Sequence, residues 1–475
     1  MKRFIPTLLA LAVSSALHGQ ALAETTATSN VDITVEVPLN ATDIAEVDQA
    51  ITASAQPAML DPGMQIEEMI AAYRRGEGQG FVTKSSAGKL YFGIGQANVM
   101  LRPESRDWGN ARVMAYKEAL LNAKADYLTH LGTRVVASSA TRLFDDASQM
   151  PQFTPQELTS RNRLEEVLNK AVAVAGGVLD EQLVELGIDP DEFRSAPSEK
   201  RAVLFERSVS NAVTQRARHE LTGVIPVKSF EANDADGNHV VAVAIVASPK
   251  MRAFIDDVIA SKGDIAANPD KASAAPLDQL FADKNALINE FGIRRMYDDQ
   301  GYPVLVSFGQ SGNPYRGQDF QQLYDNRKVS FATAQADAFG NFATLFKSTG
   351  TFDQSSSRVM QNRRVGIVRA EGRDITESEE SSRDFIQALE QEMEASGRVN
   401  DLAGTRELMR WTAKHPTYGH EINGVIYVWH PVSEQNARAM RDNKPRQKAQ
   451  AEAQADLKGQ AGSSQSMKLM SADDF

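Results

Sequence analysis

The sequence predicts an α+β fold of two related modules, each a small, mainly antiparallel sheet packed by an alanine-rich helix, with extra helices. Three observations carry this. A strand-like run closing on glycine and glutamine occurs twice, as Tyr91-Phe92-Gly93-Ile94-Gly95-Gln96 and as Val304-Leu305-Val306-Ser307-Phe308-Gly309-Gln310. A helix with small residues four apart follows each: Ala111, Ala115, Ala119 and Ala123 in the first, and Ala332, Ala336 and Gly340 in the second. Two apolar runs joined by a turn close each copy; Leu408, Trp411 and Ala413 fall where Val227, Phe230 and Ala232 fall.

The elements follow in chain order. Residues 1–23 read as a secretory signal peptide: Lys2 and Arg3 precede a short apolar run, and Ala21-Leu22-Ala23 is a small-x-small cleavage site. Residues 24–63 read as an N-terminal arm or linker, with one short strand where Val31, Ile33, Val35 and Val37 alternate with polar residues. Module one spans 64–261. It opens with a short helix over 65–75, continues with the glycine-ended strand, and then predicts a helix over 108–131. A column of alanines lets that helix approach a sheet closely, because each Cβ takes little room. Thr154, Pro155 and Glu157 have the spacing of a capping box and open a helical insertion at about 150–200, with Leu158, Leu164, Val167, Leu168 and Val172 on one face. Asp236-Gly237-Asn238 predicts a hairpin turn between the runs 224–232 and 240–248.

Residues 262–276, with Pro269 and Pro276, read as the linker between modules. Module two spans 277–432. It predicts a helix over 277–291, the second glycine-ended strand, and a helix whose Ala332, Ala336, Gly340 and Leu345 align with Ala115, Ala119, Ala123 and Leu128. A second capping box stands at Thr376–Glu379, ahead of Phe385, Ile386 and Leu389. Asn423-Gly424 predicts the turn before the last strand. Residues 433–475 read as a polar, partly disordered tail.

Composition narrows the function classes. The formal net charge is −11, and losing Lys2 and Arg3 would make the chain more acidic still, which argues against nucleic acid as a partner. No later stretch reaches the length of a transmembrane helix. The chain has no cysteine, which excludes disulfides, thiolate metal sites, a cysteine nucleophile and the usual lipid anchor. Export without disulfides or an anchor points to the periplasm of a Gram-negative bacterium, with cleavage after Ala23; release from the cell is the alternative.

No motif for chemistry stands out. His219-Glu220 begins like a zinc-protease helix, but Gly223 stands where the second histidine belongs. His415, His420 and His430 lie close in sequence, yet their spacing fits no familiar metal site and reads as loop histidines. Gly93-x-Gly95 lacks the third glycine of a dinucleotide turn, and Gly309-Gln310-Ser311-Gly312 lacks the spacing of a nucleophile elbow. No catalytic, cofactor-binding or metal-binding residue is therefore assigned, and no cofactor is expected. Trp411, Tyr418, Tyr427 and Trp429 are the candidate partner-binding residues if exposed, and core if buried; alternation puts Val425, Tyr427 and Trp429 on one face and Ile426 and Val428 on the other, both apolar, which favours burial.

The order of segments resembles the LPP20-like lipoprotein modules and the N-terminal module of the flagellar assembly protein T, on Gly93, Gly95, Ala111, Ala115, Ala119, Ala123 and the hairpin 224–248. The chain departs from LPP20 proteins in lacking the lipidated cysteine, in having two modules and in the insertion at 150–200. The resemblance implies an envelope-associated, non-enzymatic scaffold that binds envelope proteins or self-assembles. A hydrolase or glycan-active enzyme with unidentified carboxylates, or a small-ligand carrier, are the alternatives.

Overall fold

A computed structural model describes residues 61–144, 146–174, 179–346, 403–442, 470, 471 and 473. All of them belong to one unit, Leu60–Phe475. The strand predicted at 31–37, the capping box at 376–379 and the apolar residues after it lie outside the described residues.

Module one begins with α1 (Pro62–Arg75), capped by the Asp61 carboxylate on the Met64 N–H, and α2 (Gln79–Ser86). Strand β1 (Tyr91–Asn98) leads to the long α3 (Trp108–Thr141). The insertion holds α4 (Arg161–Val174), α5 (Leu179–Glu185), α6 (Pro190–Ser195) and α7 (Ser198–Glu220). Strands β2 (Val224–Asn233) and β3 (His239–Ala247) form the hairpin, and α8 (Pro249–Ser261) follows. Module two has the one-turn α9 (Leu277–Leu280), β4 (Gly292–Tyr297), β5 (Pro303–Gly312), α10 (Phe320–Phe346), β6 (Thr405–Lys414), β7 (Glu421–Trp429) and α11 (Pro431–Arg441).

Both sheets are antiparallel. The first runs β1-β3-β2 and the second β4-β5-β7-β6, so the second repeats the first with one added edge strand. The repeat extends to register. Gly95 pairs with Val243 and Gly309 with Val425; Phe230 pairs with Ala242 and Trp411 with Gly424. Each hairpin slips register once, at Val227 between Pro226 and Lys228 and at Leu408 between Glu407 and Met409. A bulge is a local kink that a strand does not acquire without cause, so its recurrence at the same place marks the duplication more firmly than any sequence match.

The glycines explain the close helix packing. A Cβ on Gly95 would lie 2.1 Å from the Ala119 carbonyl oxygen and 2.4 Å from the Ala123 nitrogen; one on Gly309 would lie 2.6 Å from the Ala338 nitrogen and closer still to the Ala334 carbonyl. This corrects the helix alignment expected above: Ala334 and Ala338, both 0 % exposed, take the places of Ala119 and Ala123, while Ala336 and Gly340 line a cleft.

Strand β3 is apolar from Val240 to Ala247 because both its faces are covered. Val241, Val243, Ile245 and Ala247 pack on α3, and Ala242, Ala244 and Val246 on α1 and α8. Strand β7 behaves alike: Val425, Tyr427 and Trp429 join Ala334, Ala338 and Phe342, while Ile422, Ile426 and Val428 join Phe281, Phe308 and Trp411.

Several boundaries differ from expectation. Helix α3 runs ten residues past 131 because Val135, Val136 and Ala140 pack against the insertion, whose core includes Leu164, Val167, Leu168, Phe193 and Phe205. Glu157 accepts the Thr154 N–H at 2.5 Å as a capping box requires, yet only a 3₁₀ turn follows and α4 starts at Arg161. The helix expected over 277–291 is broken into α9 and a 3₁₀ turn, with Asp283 capping the latter at the Asn285 and Ala286 N–H groups. Strand β4 was not foreseen; its Arg294 is fully buried and donates to the Phe291 carbonyl at 2.7 Å. Asn423 and Gly424 are strand residues. The turn is at 415–420, where Gly419 has φ +68°, and Gly424 is needed because Trp411 lies flat over it, leaving a Cβ 2.1 Å from the indole.

The segment 262–276 connects the modules but is fastened rather than loose. Gln435 donates to the Gly263 carbonyl, Asn268 N–H to Gly301, and Ser273 N–H to Asp298. Described residues of the tail are seated on the fold: α11 occupies its start, Met470 is buried in the core shared with α1 and α8, and Lys84 pairs with Asp473.

Candidate functional site

The tips of the two hairpins meet over the start of α3, and a charged cluster is buried where they meet. Glu231 stands near the end of β2, and His239 opens β3 across the Asp234–Asn238 turn. His415 follows β6 at the turn of the second hairpin, held there by backbone hydrogen bonds with His420 and Gly419. Trp108 and Arg112 come from the first turns of α3.

Glu231 is the centre. Arg112 Nε lies 2.5 Å from its Oε1; His415 Nε2 and His239 Nε2 lie 3.5 and 3.7 Å from its Oε2. The side chains are nearly sealed: Arg112 is 0 %, His239 1 %, His415 3 % and Glu231 5 % exposed. Burial alone would raise the Glu231 carboxyl pKa, but the Arg112 charge and the two facing imidazoles outweigh it and hold the group ionised, well below the ordinary carboxylate range. Burial lowers the pKa of His415, and Glu231 offsets only part of this, so the ring is neutral at pH 7. The Trp108 indole is in edge contact with both rings, at centroid distances of 5.2 Å to His239 and 4.8 Å to His415.

Arg112 also ties module one to module two. It donates to the Ile288 carbonyl at 2.6 Å and to Gln310 Oε1 at 3.2 Å, and it lies over the Phe291 ring. Gln310 Nε2 donates to the carbonyls of Leu287, Ile288 and Glu290. Beside this, Gly109 and Gly312 cross so closely that a Cβ on either would lie under 3 Å from the other's Cα, and Asn110 Oδ1 accepts the Gly312 N–H.

The second module keeps the arginine and changes its partner. Arg327 stands seven residues before Ala334, as Arg112 does before Ala119, and it grips Glu421 with two hydrogen bonds of 2.8 and 2.6 Å. Glu421 occupies the hairpin position of His239, and Thr412 that of Glu231. The clamp repeats; the histidine–carboxylate group does not. Burial would raise the Glu421 pKa, but the Arg327 and Asn313 hydrogen bonds outweigh it and set the group below its ordinary 4.5. The pair therefore adds stability that is complete above about pH 4.5 and fades as pH falls through the lower folded value. Arg327→Gln is expected to cost about 0.5–1 kcal/mol at pH 7, since the arginine is partly exposed, and less below pH 4; urea midpoints at the two pH values check this.

The cluster went unrecognised in the sequence, except for His415. Of the other histidines, His420 contacts Arg316 and the Pro103 carbonyl, and His430 caps α11 through the Val432 N–H while its Nε2 meets Asp298 at 2.9 Å. The candidate partner-binding aromatics are not an exposed patch. Trp411, Tyr427 and Trp429 are buried between sheet and helix, with Trp429 Nε1 donating to Glu434, and Tyr418 is half-buried against Trp108. Both faces of β7 are covered, which keeps Tyr427 and Trp429 from solvent. Glu220, from the failed protease motif, is a structural partner of Tyr127 and Arg216, and Ser311 lies within β5, hydrogen-bonded to Asn110.

A cleft of about 500 Å³ separates α3 from α10. Leu121, Pro226 and Ile293 give it apolar walls, Asn110 and Asn341 polar ones, and Lys117 reaches Asp337 across it at 2.6 Å. Among the described residues Asp337 is the one carboxylate in its lining.

A family of unknown function, DUF6844, matches residues 164–260. That span runs from α4 through the first hairpin to α8 and includes Glu231 and His239. No curated protein matches the chain. Among solved structures, a hypothetical protein of Francisella tularensis is similar, with 18 % identity and a TM-score of 0.47 over 82 % of this chain and 99 % of that one. Among the described residues no helix is long and apolar enough to cross a membrane.

Proposed function

We propose that this chain is an exported, non-enzymatic scaffold of a bacterial envelope, acting in the periplasm by binding envelope proteins or further copies of itself. The observation that carries the reading is what the duplication conserved. Strand order, bulge, glycine–helix contact and arginine clamp recur, while the polar group at the first hairpin tip has no counterpart in the second. Repetition of architecture without repetition of reactive groups suits a part that is held and that holds others. Exposed apolar residues give partners somewhere to dock: on α10, Phe320 and Val329 are 73 % and 67 % exposed, with Tyr324 stacked on Phe320.

A photo-crosslinking residue at position 320, in cells, is expected to capture one defined envelope protein or a second copy of the chain. Light scattering on the mature chain should then give a matching complex or oligomer. A monomer with no crosslink would sink the scaffold. The chain recovered from a periplasmic fraction should begin at Glu24, whereas an uncut, cytoplasmic chain would refute export. The α3–α10 cleft favours a second reading, a carrier of small amphipathic ligands; native mass spectrometry showing a co-purifying small molecule would decide for it.

A further inference from the structure

We infer that Glu231, His239 and His415 form a binding site for one divalent transition-metal ion, of which Zn²⁺ is the best fit, joining the hairpins of the two modules. One carboxylate and two imidazoles offer a donor atom each, and these atoms all lie within 4.8 Å of one another. Ligand atoms around a tetrahedral ion with bonds of about 2.0–2.1 Å stand roughly 3.3 Å apart. The Glu231–His415 and Glu231–His239 separations of 3.5 and 3.7 Å are within a small side-chain adjustment of that.

A second observation points to a ligand. His239 is buried, yet neither of its ring nitrogens makes a hydrogen bond, and neither Glu231 oxygen has an aligned donor, the Arg112 contact at Oε1 being an ion pair. Leaving buried polar atoms without partners is costly, because their lost hydration is not replaced. An ion between them would satisfy both. Arg112 holds the other oxygen, Oε1, and so orients the carboxylate rather than competing for Oε2; it is a positioning residue. It also adds a positive charge nearby, which favours a ligand set that includes a hydroxide over water in the remaining position. His415 must present Nε2 without its proton. The proton moves to Nδ1, which among the described residues faces the Tyr418 N–H at 3.4 Å, the long limit of a hydrogen bond. Neutral imidazoles with a carboxylate suit Zn²⁺ and its neighbours better than Mg²⁺ or Ca²⁺, which prefer all-oxygen sites.

The test is titration of untagged, chelator-treated full chain with Zn²⁺ and, separately, Co²⁺. One equivalent of Zn²⁺ should bind and raise the thermal midpoint, and Co²⁺ should give the intense visible bands of a four-coordinate site. His239→Gln and Glu231→Gln should each weaken binding by more than the roughly 10–100-fold that loss of a supporting residue costs. His130→Gln, on α3 away from the cluster, should leave it unchanged. Absence of a one-equivalent Co²⁺ spectrum in the unsubstituted chain overturns the proposal, however the variants fold. So does binding that survives His239→Gln but falls with His130→Gln. In either case the cluster is a plain buried ion pair.

Discussion

Gly309→Ala should unfold module two or force its helix off the sheet. The added methyl would meet the Ala334 carbonyl oxygen and the Ala338 nitrogen, which are helix backbone and cannot rotate away. Overpacking against side chains costs about 1–3 kcal/mol; against a helix backbone the upper end or more is expected. Gly95→Ala repeats the experiment in module one, where the Ala119 oxygen would be 2.1 Å away. Chemical denaturation of both variants reads the loss. Gly88→Ala is an unsuitable control, because its φ of +68° strains any side chain, whereas Gly340, with open space beside it and a helical backbone, should accept alanine and gain slightly in helix propensity. A Gly309→Ala protein as stable as the parent would mean that α10 does not seat on β5 as described.

Arg112→Ala should be the most damaging change at the junction. It leaves Glu231 charged, buried and facing two imidazoles with no cation bound to its Oε1, and removes the donors to Ile288 and Gln310 that join the modules. Removing one partner of a buried ion pair costs about 3–5 kcal/mol. Without the arginine, burial raises the Glu231 pKa, and the group can escape the penalty by taking a proton. The deficit therefore runs in the same direction as that of Arg327→Gln but at higher pH: the deficit of Arg112→Ala should shrink as pH falls through the raised folded pKa. Arg112→Met with Glu231→Gln, in which no charge is left unpaired, should recover part of the loss. Denaturation midpoints in chelator-containing buffer from pH 7 down to 4 decide it. A flat deficit across that range would show that packing, not charge, is what Arg112 supplies.

The fold was legible where one residue does one job. The two glycine-ended strands and the Asp236-Gly237-Asn238 turn read directly, because each signal is local. The α10 register was misread because 332–338 is Ala-Thr-Ala-Gln-Ala-Asp-Ala. Alanines two apart satisfy a spacing of four in two ways, and only contact with Gly309 selects Ala334 and Ala338. Strand β4 hid because its two arginines look like surface; both are buried, Arg294 on the Phe291 carbonyl and Glu290 just before it and Arg295 over the Phe254 ring of module one. The Glu231 cluster was illegible for a related reason. Glu231 and His239 sit in an ordinary hairpin, and His415 is brought to them by packing between modules, which no spacing rule encodes.

The crossing of Gly109 and Gly312 has a mechanical consequence. Main chain rests on main chain there, with Asn110 bonded across, and no side chain lies between to deform. Side-chain layers are the compliant part of most joints between modules, since rotamers can shift under load. A crossing without one acts as a stiff point in the joint: load carried through it passes from one sheet to the other without slack, and the side-chain contacts around it turn about a fixed point.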